Sequence, residues 1–102
     1  MTNPTTIGEL AIKEHAAWRE RNDARAALRT WLKVYRRESD DHYEHESAEP
    51  EERAAFDILR RDATKAQRVL TTARAATRRA VARYNRESPA ALEAMGQERL
   101  CE

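Results

Sequence analysis

A chain of 102 residues with two glycines and three prolines has too little turn punctuation for a many-stranded sheet, and fits one helical domain. Nineteen basic against eighteen acidic residues leave a formal net charge of +1, so bulk charge selects no partner and only its distribution is informative. The one cysteine, Cys101, excludes an intrachain disulfide; no charged leader is seen and no run approaches the ~20 apolar residues of a membrane span, so a soluble cytoplasmic chain is expected.

Met1 to Thr5 is polar and reads as a flexible lead. Thr6 with Glu9 three residues later matches a capping box, so helix 1 is predicted over about 7–38. Its stripe alternates by three and four through Ile7, Leu10, Glu14, Ala17, Arg21, Ala24, Leu28, Trp31 and Tyr35, widened by Trp18 and Leu32. This seam is apolar at both ends and charged in the middle. Glu14, Arg21 and Arg25 on a buried stripe need partners or an escape to water.

Between Glu38 and Glu52 eight carboxylates meet no Lys or Arg, and apolar periodicity is lost over 39–49. Mutual repulsion and the preference of charge for water predict an acidic loop there. Pro50 suits the first turn of a helix, and Glu51 and Glu52 suit its positive end, so helix 2 is predicted over about 50–87. Phe56, Leu59, Ala63, Ala66, Leu70, Ala73, Thr77, Ala80 and Tyr84 keep a heptad spacing whose alanines allow close approach of a second axis. Ser88 and Pro89 form a cap and first-turn pair, predicting a short third helix over 89–95 that ends at Gly96, followed by a polar tail over 96–102.

Laid against each other, the two seams place Tyr35 opposite Phe56, Ala24 opposite Ala66, Arg21 opposite Leu70, Glu14 opposite Thr77 and Ile7 opposite Tyr84. The expected fold is therefore all-α: a long antiparallel helical hairpin, coiled-coil-like with an Ala-rich seam, plus a short C-terminal helix. Much of the 40% hydrophobic content is alanine, so the core is a thin seam, and self-association into a four-helix bundle would add burial. A second apolar line, Ile58, Val69 and Ala76, is the predicted dimer face.

No constellation carries chemistry. His42 and His45 sit among acids but lack a second ligand cluster, so no metal or other cofactor is expected. Neither Cys101 nor Ser39, Ser47 or Ser88 has a context that positions a base, so no enzyme is expected.

Charge marks two candidate binding surfaces. Arg60, Arg61, Arg68, Arg74, Arg78, Arg79, Arg83 and Arg86 make helix 2 basic away from its seam, and Asp40, Asp41, Glu44 and Glu46 make the loop acidic. The leading expectation is a non-catalytic inhibitor or adaptor that binds a protein or ribonucleoprotein complex. Small motif-free helical chains are frequent among phage and mobile-element products, anti-CRISPR inhibitors included; this is a class expectation, with no family motif behind it. Nucleic-acid binding along the basic face is the alternative, and mimicry of a nucleic-acid backbone by the acidic loop a third.

Overall fold

The computed structural model describes residues 3–87. Two helices account for most of them, α1 (Pro4–Ser39) and α2 (Pro50–Glu87). The predicted helix over 89–95 and the tail with Cys101 lie outside the described residues. By its contacts the chain divides into two compact units: unit 1 combines Met1–His15 with Thr71–Glu102, and unit 2 is Ala16–Leu70.

The start of α1 corrects the sequence reading. Asn3, not Thr6, is the cap: its Oδ1 accepts the Thr6 backbone N–H at 2.8 Å and the Thr6 hydroxyl at 3.1 Å. Pro4 fills the first helical position, where no N–H is needed. At the other end Arg36 and Arg37 complement the negative pole of the helix. Asp40 then takes the left-handed conformation, with φ of 51°. A short side chain that hydrogen-bonds locally tolerates that turn, and the chain leaves the helix there. At α2, Pro50 opens the first turn with Glu51 and Glu52 beside it. The Arg53 side chain donates from Nε to the Ala48 carbonyl at 2.9 Å, tying the loop to the new helix.

In unit 2 the helices are in close antiparallel contact. Arg21 and Arg25 reach Gln67, and Trp31 meets Phe56, so residues advance along α1 as they retreat along α2. These contacts lie within one helical turn of the register expected from the seams. Leu70 is fully buried and Ala17 almost so, an apolar core as thin as the alanine content implies. In unit 1, Glu14 lines one groove with Thr77, the partner expected for it. Thr77 turns its hydroxyl back to the Ala73 carbonyl at 3.1 Å, which satisfies it without an acceptor from elsewhere.

Two expectations about burial fail. Trp18, placed on the widened seam of α1, is 42% exposed. The acidic loop is also not simply a solvated stretch. Ala48 is buried, and Tyr43 inserts its ring among Trp31, Tyr35 and Phe56 with centroids 5.2, 5.3 and 4.5 Å away. One aromatic residue among many acids is enough to anchor the loop, because it brings more apolar area than the neighbouring charges can hold in water.

Candidate interaction surface

The charged middle of the α1 seam resolves through a residue that periodicity did not single out. Gln67 Oε1 accepts from Arg21 Nη1 at 3.2 Å and from Arg25 Nη2 at 3.0 Å. A neutral amide can lie beside the seam at lower desolvation cost than a carboxylate, and its oxygen has two lone pairs for the two guanidinium groups. The arginines thus form a polar bridge between the helices.

The basic face of α2 does not behave as one track. In unit 2, Arg60, Thr64 and Arg68 recur every four residues, with Arg61 and Lys65 alongside. Together with Asp57 they line an open groove of about 560 Å³. None of these four cations makes a hydrogen bond or ion pair among the described residues. The one carboxylate, Asp57, is engaged by His45, whose Nε2 lies 3.1 Å from Asp57 Oδ1. Asp57 offsets one of the four positive charges, so the groove keeps a net excess of positive charge.

Unit 1 differs. Arg74 and Arg78 share a groove of about 530 Å³ with Glu14, Thr77 and Val81, so a carboxylate stands among the guanidinium groups. Arg74 is also half-buried, whereas Arg79, Arg83 and Arg86 are exposed.

The acidic loop is divided too. Asp40 and Asp41 line a groove of about 450 Å³ with Lys33, Arg36, Arg37 and His42, so three cations of α1 stand beside them. Asp41 Oδ1 accepts the His42 backbone N–H at 2.7 Å. Glu44 accepts the Ser47 hydroxyl at 3.2 Å, and Glu46 is exposed. The four carboxylates therefore have different immediate surroundings. Among the described residues no three His, Cys, Asp or Glu side chains are grouped to hold a metal ion; His45 is spent on Asp57 and the ring cluster.

Of the predicted dimer face, Ile58 and Val69 are 57% and 46% exposed, but Ala76 is half-buried in unit 1 and does not extend the exposed line. Two phenols in the ring cluster are shifted. The Tyr35 pKa is raised first by the neighbouring Glu52 carboxylate and then by desolvation. That of Tyr43 is raised by desolvation and by the Asp57 charge, with Arg53 opposing. Both shifts favour the neutral ring.

Among the described residues no helix is long and apolar enough to cross a membrane. No protein-family model matches this chain, and neither a curated protein nor a solved structure does.

Proposed function

We propose that this chain is a non-catalytic interaction module, of inhibitor or adaptor type, that engages an acidic surface of a protein or ribonucleoprotein complex. The cationic groove of α2 in unit 2 is the contact, with exposed Ile58 and Val69 adding an apolar line beside it. One observation carries this reading: Arg60, Arg61, Lys65 and Arg68 line one groove with a single carboxylate, Asp57, and none of the four makes an ion pair among the described residues. Guanidinium groups left unpaired on a rigid helix are pre-ordered for carboxylate recognition, and they accelerate encounter with an oppositely charged surface.

The test is affinity capture from nuclease-treated lysate of the native host, comparing the wild-type chain with an R60E/R61E/K65E/R68E variant. A protein retained by the first and lost by the second supports the proposal. Equal retention by both removes the groove from it.

A second reading, nucleic-acid binding, draws on the charge density of the same groove. Four cations within nine residues span about 12 Å of helix axis, close to one per phosphate spacing of a single DNA strand, about 3.4 Å. Affinity for a short duplex that falls steeply with salt, with a slope reduced in the reversal variant, would favour it. Backbone mimicry by the acidic loop is the weakest reading, because Lys33, Arg36 and Arg37 stand beside Asp40 and Asp41. The inhibitor mode, a phage or mobile-element source and a cytoplasmic site belong to the same proposal.

A further inference from the structure

Within unit 2, α2 carries an exposed face whose residues are complementary to themselves. Ile58, Asp62, Lys65 and Val69 are spaced by four, three and four, so they fall within about 60° of one another on the helix. All four are exposed. The order along the face is aliphatic, acid, base, aliphatic. Turned end over end and laid on itself, this order sets aliphatic on aliphatic and acid on base at every position.

We infer that this face docks a second copy of the chain, with the two α2 helices antiparallel about a two-fold axis. Ile58 then meets Val69 of the second copy, Asp62 meets Lys65 of the second copy, and the symmetry repeats both pairs. This is the self-complementarity that an isologous interface requires, in which a residue meets its counterpart and the counterpart meets it in return. Orientation is fixed by the charges. A parallel pair would stack Asp62 on Asp62 and Lys65 on Lys65, so like charge excludes that arrangement while the antiparallel one pairs opposite signs.

The inference rests on the reading of the Ile58 and Val69 line as an interface, and the face it uses shares Lys65 with the cationic groove. The affinity is modest. The four positions span about 16 Å of helix axis, short of the ~800 Å² per partner of a standard stable interface. Arg61 and Arg68 also flank the face on one side, so the antiparallel pair brings Arg61 of one copy near Arg68 of the other. That edge holds the dimer weak and leaves its cations available to an acidic partner.

Sedimentation velocity of the full chain from about 10 µM to about 500 µM tests this, because a weak dimer populates over that range. The wild-type chain should shift from monomer towards twice its mass. D62K should weaken association on the order of tenfold, because both ion pairs become repulsive. The double exchange D62K/K65D restores opposite signs across the two-fold and should restore association. I58S/V69S should abolish it, with far-UV circular dichroism verifying that each variant keeps its helices.

A wild-type chain that is monomeric throughout overturns the inference. So does a dimer indifferent to D62K, or one that the double exchange fails to rescue. If the wild type is monomeric while I58S/V69S still loses the captured protein partner, the face belongs to that partner: the dimer falls and the interaction module stands.

Discussion

Phe56 is where the loop, α1 and α2 of unit 2 meet, so its truncation tests whether an aromatic cluster holds the acidic loop in place. The ring stacks on Tyr43 with centroids 4.5 Å apart and lies 6.0 Å from Trp31 and 6.1 Å from His45. Truncating a fully buried phenylalanine costs about 3–5 kcal/mol. Phe56 is half-buried, so the transfer and cavity part falls to about 1.5–2 kcal/mol, and losing its contacts with Tyr43 and Trp31 adds about 0.5–1 kcal/mol each. Phe56→Ala should thus destabilise unit 2 by about 2–4 kcal/mol, and Phe56→Leu, which keeps apolar volume but loses ring geometry, by about 1–2 kcal/mol. Urea unfolding gives the two values, and native-state hydrogen exchange over residues 43–48 reports the loop. That segment should open more readily in Phe56→Ala, by an amount beyond the loss in global stability. If Phe56→Ala costs under about 1 kcal/mol and loop exchange is unchanged, Tyr43 is not what anchors the loop.

Four further outcomes follow from the first turns of α1 and from the phenols. Asn3→Ala removes the acceptor of the Thr6 N–H and should cost about 0.5–1 kcal/mol, seen as faster hydrogen exchange in the first turn of α1; an unchanged first turn would argue against Asn3 as the cap. Gly8→Ala should stabilise by about 0.5–1 kcal/mol in urea unfolding, because a methyl group there meets nothing within 4 Å and the backbone is already helical. Tyr35 and Tyr43 have pKa values raised above the ordinary 10.0, so the fold holds the neutral rings and their contribution is full below pH 10. As pH rises past 10 the unfolded chain ionises first and stability falls, a slope that Tyr35→Phe/Tyr43→Phe should flatten in urea midpoints taken between about pH 9 and pH 11. The Tyr43 hydroxyl is out of solvent and has no hydrogen-bond partner among the described residues, so its removal alone should leave the midpoint at neutral pH equal or higher.

Helix pairing was legible because it depends on spacing. The heptads of both seams place α1 against α2 within a turn of the contacts seen at Gln67 and at Phe56, and Pro50 with Glu51 and Glu52 marks the start of α2. The start of α1 was misread for a specific reason. Thr6 and Glu9 offered a capping box, yet Asn3-Pro4 carries the same cap-and-proline signal that Ser88-Pro89 was credited with, and the earlier of the two competing caps wins by adding a turn of helix. Tyr43 and Gln67 could not be found by periodicity. One lies in a segment without any, and the other sits beside its seam, where an amide matters only because two arginines of α1 arrive opposite it.

Charge counted along the chain and charge as the fold groups it differ, and the difference bears on which surface a partner would meet. Counted along the chain, 38–52 is wholly acidic, and 60–86 almost wholly basic. The fold pairs these windows with neighbours that a running count keeps apart. Lys33, Arg36 and Arg37, just before the acidic window, share a groove with Asp40 and Asp41, and Glu14, some sixty residues away in sequence, lines the groove of Arg74 and Arg78. Each pairing reduces the local field by bringing opposite charge within a screening length. The groove at Arg60, Arg61, Lys65 and Arg68 has one carboxylate, Asp57, against four cations, and so keeps the larger excess of positive charge. Desolvating a cation is offset only by an anion placed against it, so these four side chains are where an incoming acidic surface gains most and loses least.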